Sequence, residues 1–144
     1  MDSLEPSARW EHFPHEADMG IRGIGITKSQ AFEQAALALT AVITNPQGVA
    51  PEVERHFSCK APDDELLLVD WLNALIYEMA CGHMLFGQFD VKINDHLLEA
   101  VARGEPVDRM KHEPAVEIKG ATYTELSVRH SAESGWVAQC VVDV

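Results

Sequence analysis

The sequence predicts an α+β fold in which two helices pack on a largely antiparallel sheet that is strongly curved or barrel-like. Two long segments carry helical apolar patterns, and several shorter segments alternate apolar and polar residues with the period of a β-strand. Their order along the chain is strands, helix, strand, helix and several short strands, which is typical of the α+β class. The chain has 144 residues, enough to bury its own core, and we expect one domain over residues 1–144.

The N-terminal segment predicts two strands and the first helix. Residues Arg9 to Phe13 are extended in character and are ended by Pro14. From Met19 to Ile26, glycines and isoleucines are interleaved, which predicts a bent or bulged strand. Thr27 is the expected N-cap of the helix, with Gln30 as its capping-box partner. One apolar face of this helix comprises Phe32, Ala35, Ala36, Leu39, Val42 and Ile43, and the helix is ended by Asn45, Pro46 and Gly48.

The second helix is predicted to be central and mostly buried. It follows a β-like segment, Val53 to Lys60, begins at Asp63 or Asp64 and ends near Cys81, with Gly82 in the C′ position. Its apolar residues cover more than one face, which is typical of a helix that is surrounded by core. These residues are Leu66, Leu67, Leu68, Val69, Trp71, Leu72, Leu75, Ile76 and Met79.

The C-terminal half predicts a hairpin and three further strands. Residues Phe89 to Ile93 alternate as a half-buried strand, Asn94 and Asp95 supply a turn, and Leu97 to Ala102 return as the hairpin partner. A loop is expected from Gly104 to Pro114. The remaining predicted strands are Val116–Ile118, Thr122–Val128 and Trp136–Val142.

The charge of the chain argues against a protein that binds nucleic acid by itself. Its 23 acidic and 11 basic residues give a net charge of −12, and the basic residues are scattered without a run of three. Because RNA-binding surfaces neutralise phosphates with clustered Lys and Arg, an acidic surface favours cations or a basic protein partner instead. Hydrophobic residues make up 47% of the chain, an ordinary globular share that argues against disorder.

The sequence also indicates the compartment. No apolar run approaches the roughly 20 residues of a membrane span, and Met1 to Trp10 lacks the basic and apolar regions of a secretion signal. Cys59, Cys81 and Cys140 are far apart and form no CxxC pair, which favours free thiols that serve as small buried apolar residues. We therefore expect a cytoplasmic protein with no membrane partner.

Potential metal ligands are densest near the N-terminus. Two histidines and three carboxylates lie between Trp10 and Asp18 around a proline, an arrangement that can aim several side chains at one point. Solvated loop residues would give the same pattern. At the C-terminus, Asp143 continues the strand face of Val137 and Val141, where a carboxylate needs a partner unless the chain end is frayed and hydrated. Oxygen ligands of this kind suit hard cations such as calcium or magnesium.

Other patterns are less informative. The chain contains no GxxxxGK[ST], GxGxxG, GxSxG or HExxH motif. Asp70 and Asn73 interrupt the apolar pattern of the second helix, and we interpret them as polar groups that are satisfied within the core. A further set is compatible either with a pocket or with a sheet edge: His112, Lys119, Thr122 and Tyr123.

Taken in chain order, several short motifs resemble those of the archease family. His15-Glu16-Ala17-Asp18 resembles the family's opening motif, in which His-x-Ala-Asp precedes an apolar strand, and the most distinctive match is Glu65–Asn73 in the second helix. Each motif is short, but the ordered set is specific and spans roughly Trp10 to Val144. The other matching segments are Ala31–Ala36, Gly104–Pro106, His112, Ile118–Tyr123 and Asp143–Val144.

The resemblance implies an archease-type α+β fold and a divalent-cation site. The family's metal ligands fall on Asp18, on Asp143 and on the backbone oxygen of Val144, with calcium as the expected ion and magnesium or manganese as alternatives. The family promotes guanylylation and multiple turnover of an RtcB-type RNA ligase in tRNA splicing and RNA repair. The resemblance therefore implies this ligase as a partner, no catalytic residues in this chain and no stable direct binding to nucleic acid. Gly120 is a departure, since many relatives have alanine there.

Two other functions remain open from the residues alone. An independent metal-dependent hydrolase would hold its ion with Asp18 and Asp143 and use His15 or His12 as the base, although no nucleophile motif accompanies them. A general chaperone or interaction module would expose apolar surface, whereas the apolar residues here follow buried patterns. Since calcium takes about six to eight oxygen ligands, water or a partner must complete a site with only two carboxylates, which suits a cation presented at an interface.

Overall fold

The computed structural model describes residues 7–144, which form eight strands and three helices. Part of the Met1–Trp10 segment, on which the expectation of no secretion signal depends, lies outside the described residues. The strands are β1 Arg9–His15, β2 Asp18–Gly25, β3 Val53–Lys60, β4 Met84–Asn94, β5 Leu97–Pro106, β6 Gly120–Ala121, β7 Ser127–Ser131 and β8 Gly135–Asp143. The helices are α1 Lys28–Ile43, α2 Asp64–Gly82 and α3 Arg109–His112, with a short 3₁₀ turn at Pro46–Gly48.

The strands form two antiparallel sheets. In the five-stranded sheet β1 pairs with β2, β2 pairs with β8, and the other edge of β8 carries both β6 and β7. The three-stranded sheet has the order β3-β5-β4. The α+β class and the antiparallel pairing are confirmed. The strands do not close into one barrel-like sheet, because they divide into two sheets and each long helix contacts both.

Helix α1 packs closely on β2, and a glycine of that strand explains how. The Thr27 side chain accepts the Gln30 N–H (3.1 Å), while Gln30 Oε1 accepts the Ile26 N–H (2.8 Å), so the predicted helix start is confirmed. A Cβ atom on Gly23 would overlap the backbone oxygen of Ala31, so this close approach requires glycine. Of the two predicted forms, bent or bulged, the bulge is absent from β2, which keeps a continuous register with β1 and β8.

Helix α2 is the central helix, as predicted. Asp63 caps it by accepting the Leu66 N–H (2.9 Å). The left-handed residue at its end is His83 (φ 54°) rather than Gly82, which is the last helical residue. Its buried residues face several directions and leave one exposed stripe, which consists of Asp70, Asn73, Tyr77 and Ala80. The interpretation of Asp70 and Asn73 as core polar groups is therefore wrong, because both belong to this stripe.

A hydrophobic core joins both sheets and both long helices, and Trp71 of α2 lies within it. The Trp71 side chain is fully buried, and its Nε1 donates a hydrogen bond to Phe32 O of α1 (3.1 Å). The indole ring meets Phe57 of β3 and Phe89 of β4 edge-on, with ring centroids 5.6 and 6.1 Å apart. From the five-stranded sheet, β8 contributes Ala138, Cys140 and Val142 to the same core.

The C-terminal half departs from two predicted strands. Val116–Ile118 forms no strand: the N–H of the preceding Ala115 bonds to Ile43 O (2.9 Å), and Ile118 packs into the core. Thr122–Val128 is divided by a turn in which Glu125 is left-handed (φ 55°), and the strands β6 and β7 lie on either side of it. Alternation of apolar and polar residues is a local pattern, whereas a strand also needs a neighbouring strand to pair with.

The loop predicted from Gly104 to Pro114 is also more ordered than expected. Strand β5 continues to Pro106, and the single turn of α3 follows. The Asp108 side chain caps α3 by accepting the N–H groups of Met110 (3.0 Å) and Lys111 (3.2 Å). At the N-terminus, β1 runs through Pro14 to His15, because β1 is an edge strand and proline interrupts no bond to a further strand there.

Helix α1 covers the open edge of β4. Glu33 Oε2 accepts the Val91 N–H (2.8 Å), and Ser29 Oγ accepts the Ile93 N–H (3.2 Å). Burial raises the pKa of Glu33, while the hydrogen bond from Val91 acts in the opposite direction. These bonds satisfy strand-edge donors that would otherwise be available to another chain.

The three cysteines are free thiols in different environments. Cys140 is buried, Cys59 is partly buried and Cys81 is exposed, so the expectation of buried apolar residues is confirmed for Cys140 and wrong for Cys81. Burial raises the pKa of Cys140 to about 12 and also raises the pKa of Cys59. Among residues 7–144, no helix is both long enough and apolar enough to cross a membrane.

We expect Trp71→Ala to lower the free energy of unfolding by about 3–5 kcal/mol, because it removes a buried aromatic side chain and leaves a cavity. Tyr77→Ala on the same helix is the control: Tyr77 is 69% exposed, and its loss should change stability by less than about 0.5 kcal/mol. Urea denaturation followed by circular dichroism measures both. Similar losses in the two variants would contradict the burial of Trp71.

Candidate functional site

One end of the five-stranded sheet brings together residues from distant parts of the chain. The hairpin between β1 and β2 turns through Glu16, which has a left-handed backbone (φ 53°), and Ala17. It places His15 directly opposite Asp18. Because directly opposed residues of an antiparallel pair project from the same face of the sheet, these two side chains are cross-strand neighbours.

The pairing of β2 with β8 adds Asp143. The paired residues of β2 and β8 end at Met19 and Val142, so Asp18 and Asp143 are the next residues of these two adjacent strands. His15, Asp18 and Asp143 therefore lie side by side across three strands, and we call these residues the strand-end row.

Strand β6 pairs with the other edge of β8 at Val142 and Asp143, the end of β8 that carries the strand-end row. It pairs Gly120 with Asp143, and the Lys119 N–H bonds to the backbone oxygen of Asp143 (2.7 Å). The Thr122 hydroxyl donates to Val141 O (2.8 Å). The backbone of Asp143 is thus fixed by neighbours, although its side chain is exposed.

The last residue, Val144, lies near Asp18. Both line a cavity of about 210 Å³ between this end of the sheet and α1. His12, another lining residue, is held by a 2.8 Å hydrogen bond from Nε2 to Ala38 O of α1, so Nε2 acts as a donor there. The full lining is His12, Ala17, Asp18, Met19, Ala41, Val42, Val116 and Val144.

The donors at this end of the sheet are oxygens, the ligand type that a hard divalent cation prefers. None of the ion pairs formed among residues 7–144 involves Asp18 or Asp143. Together with the Val144 backbone oxygen, the two carboxylates are an all-oxygen set, as calcium and magnesium prefer. In the described part of the chain, no group of three or more His, Cys, Asp or Glu residues is arranged to hold a metal. A cation here would therefore need oxygens from the backbone, water or a partner.

The structure divides the ligand cluster predicted near the N-terminus. Glu11 forms an ion pair with Arg22 of β2 (2.7 Å), and Glu16 is exposed in the hairpin turn. Only His15 and Asp18 enter the strand-end row. Closeness in sequence therefore does not by itself determine which of these residues lie at the ends of adjacent strands.

Comparison with known proteins decides the family. Residues 10–144 match the model described as Archease protein family (MTH1598/TM1083). The chain belongs to the archease family. Protein archease of Pyrococcus furiosus is 39% identical over 140 residues, which cover 94% of this chain and 99% of the relative. Protein archease of Methanosarcina mazei is 36% identical over 141 residues, with coverages of 94% and 96%.

Two solved structures are similar to the archease-family chain. The solution structure of Methanobacterium thermoautotrophicum protein 1598 has a TM-score of 0.81 at 31% identity and covers 94% of this chain and 98% of its own. A crystal structure from Thermotoga maritima, described as an archease, possible chaperone, has a TM-score of 0.58 at 17% identity, with coverages of 92% and 94%. At that identity the second structure shows the fold alone.

A second polar cluster, centred on Glu105 of β5, was not predicted from the sequence. Glu105 is buried, and its Oε2 accepts hydrogen bonds from Ala50 N (2.8 Å), Lys111 Nζ (2.6 Å) and His112 Nε2 (2.8 Å). These bonds lower the pKa of Glu105 to about 2, with the Ala50 N–H as the largest cause, then Lys111, then His112. The one feature of the sequence that could have indicated this cluster is a charged residue placed between Gly104 and Pro106.

His112 is the buried partner of Glu105 rather than part of an open pocket. The Asp108 N–H donates to His112 Nδ1 (2.9 Å), which assigns the ring proton to Nε2, facing Glu105. The Thr44 hydroxyl donates to the backbone oxygen of His112 (2.6 Å). The cluster therefore ties α3 to β5 and to the end of α1.

We expect the stability of the wild-type chain to fall more steeply than that of Glu105→Gln as the pH decreases from about 4.5 toward about 2. A carboxyl group with a lowered pKa in the folded state stabilises the fold above its unfolded pKa, and this contribution is lost as the pH falls through the folded pKa. Urea denaturation at a series of pH values gives both slopes. Glu99→Gln, an exposed change on the same strand, controls for the loss of one carboxylate. Equal slopes for wild type and Glu105→Gln would refute the prediction.

Proposed function

We propose that this chain is a divalent-cation-binding protein cofactor of an RtcB-type RNA ligase that promotes guanylylation and multiple turnover of the ligase in tRNA splicing or RNA repair. Membership of the archease family supports an accessory role beside the ligase. The observation that carries the proposal is the strand-end row, in which the register of β2 and β8 makes Asp18 and Asp143 neighbours. These are the two residues to which the family resemblance assigns a cation.

In this proposal Asp18, Asp143 and the backbone oxygen of Val144 hold the ion, with calcium favoured over magnesium or manganese. Calcium takes about six to eight oxygens, so water or the ligase supplies the remaining ligands. When bound, the cation supplies positive charge that stabilises phosphate oxygens. The contribution of the chain is to hold two carboxylates on adjacent strands, with Asp143 exposed to a partner.

The acidic character of the chain supports docking near a basic surface. A net charge of −12 favours approach to the basic RNA-binding cleft of a ligase and disfavours stable binding to RNA itself. The three free cysteines suit a reducing compartment, and we place the protein in the cytoplasm.

The test is multiple-turnover RNA ligation by the cognate ligase with GTP and a divalent cation. We expect wild type to increase the number of turnovers and Asp18→Ala or Asp143→Ala to abolish most of that increase, because each removes a carboxylate ligand. Asp90→Ala is the matched control: Asp90 is exposed on β4 of the other sheet and should leave stimulation unchanged. Circular dichroism verifies that all three variants fold.

The outcomes separate the role from the site. Stimulation by wild type that is lost only in the strand-end variants supports both. Stimulation that survives in Asp18→Ala and Asp143→Ala supports the cofactor role and rejects the cation site. No stimulation by wild type rejects the cofactor role.

We expect the association with the ligase to weaken severalfold between low and high salt, because screening reduces the attraction between opposite charges. Titration of the ligase at several concentrations of sodium chloride measures the dissociation constant. Salt-independent association would argue against docking through the acidic surface.

A chaperone role is the second candidate, and a cavity of about 490 Å³ favours it. Its lining combines apolar side chains of both long helices with polar and charged residues, among them His83, Arg109 and Glu117, so a client segment would need both apolar and polar groups. Suppression of the aggregation of unrelated unfolded proteins, without stimulation of the ligase, would favour this role. The opposite result would favour the cofactor.

A further inference from the structure

Two side chains of α2 hold the outer strands of the five-stranded sheet. Asn73 Oδ1 accepts the N–H of Ala121 in β6 (2.9 Å). Glu65 Oε2 accepts the N–H of Val128 in β7 (3.2 Å). Both strands pair with β8 on their other side, so each is held between β8 and one side chain of the helix.

These two residues are the first and last of the segment Glu65–Asn73, the most distinctive stretch of the sequence. They are eight positions apart, which corresponds to about 12 Å along a helix. Between them lie mostly buried apolar residues, including Leu68 and Trp71, which fix α2 in the core. The polar residues at the two ends of the segment thus form hydrogen bonds to strands, in addition to the core packing of the apolar residues between them.

The two bonds act on different ends of β8. Strand β7 pairs along Gly135–Gln139, far from the strand-end row. Strand β6 has only two residues, and it pairs with Val142 and Asp143. Bonds from Lys119 and Thr122, on either side of β6, also join this segment to β8, whereas the bond from Asn73 joins β6 to α2.

We propose that Asn73 is a positioning residue for the candidate cation site, because it holds β6 and β6 holds the backbone of Asp143. The link is short: Ala121 bonds to Asn73, Gly120 pairs with Asp143, and the Lys119 N–H bonds to Asp143 O (2.7 Å). The inference concerns the same candidate cation site as the proposed function, and the effect of Asn73 on cation binding rests on that proposed function. The effect of Asn73 on the position of β6 does not rest on it.

The exposure of Asn73 separates this role from a general effect on stability. Asn73 lies on the exposed stripe of α2, so its removal buries no unpaired polar group and leaves no core cavity. We therefore expect a local effect on β6 and Asp143 with little change in the melting temperature. A merely structural residue would change the melting temperature and leave the local readouts unaltered.

The experiment uses the full chain, first without a divalent cation. Amide hydrogen exchange measured by NMR reports the bonds of Ala121 and Lys119 directly. We expect Asn73→Leu, which is similar in size but lacks the acceptor, to speed exchange at both amides about tenfold or more, and Asn73→Asp, which keeps an oxygen acceptor, to preserve slow exchange. Asn73→Ala is the second acceptor-free variant, should Asn73→Leu fold poorly.

Glu65→Ala is the matched control, because it removes the same kind of bond from the same helix at the other end of β8. It should speed exchange at Val128 and leave Lys119 unchanged. Calorimetric titration with calcium then gives the second readout: Asn73→Leu should weaken binding about 10–100-fold, the range seen when supporting residues of metal ligands are lost, whereas Glu65→Ala should bind as wild type does.

Unchanged exchange at Lys119 in both acceptor-free variants would overturn the inference, as would an equal loss of calcium affinity in Glu65→Ala. If wild type binds no calcium while Asn73→Leu still speeds exchange at Lys119, the proposed cation site fails and the positioning of Asp143 by Asn73 stands.

Discussion

The antiparallel pairing of β2 with β8 is the constraint on which the candidate site depends. It joins a strand near the start of the chain to the strand at its end, and its register alone makes Asp18 and Asp143 neighbours. Because side chains alternate between the two faces of a strand, a slip of one residue would move Asp143 to the opposite face. The site is therefore a consequence of one long-range register.

The core protects that register. One face of β8, formed by Ala138, Cys140 and Val142, packs with the helices, so a slipped strand would have to expose these residues and bury others. Helix α2 contacts both sheets: Trp71 packs against Phe57 and Phe89 of the three-stranded sheet. Glu65 and Asn73 accept hydrogen bonds from β7 and β6 of the five-stranded sheet. Helix α2 therefore contributes both to the stability of the fold and to the geometry of the candidate site.

Secondary-structure elements could be predicted where they depend on residues that are close together in the sequence. The Thr27 and Asp63 caps, the apolar faces of both helices and the hairpin between β4 and β5 follow from residues a few positions apart. Predictions failed where a neighbouring strand is needed: Val116–Ile118 alternates like a strand but pairs with none, and of its residues only Ile118 packs into the core. Asn73 looked like a core polar residue because the sequence does not show which stripe of α2 faces outward.

The sequence by itself determined the helices, the acidic charge, the family resemblance and, through that resemblance, the two carboxylates to examine. The tertiary structure alone decided that the strands divide into two sheets, that His15, Asp18 and Asp143 share a row, and that Glu105 is a buried acceptor. The physical reason is distance along the chain. Helix caps and apolar periodicity depend on neighbours in sequence, whereas strand register and buried hydrogen bonds join residues that only the folded core brings together.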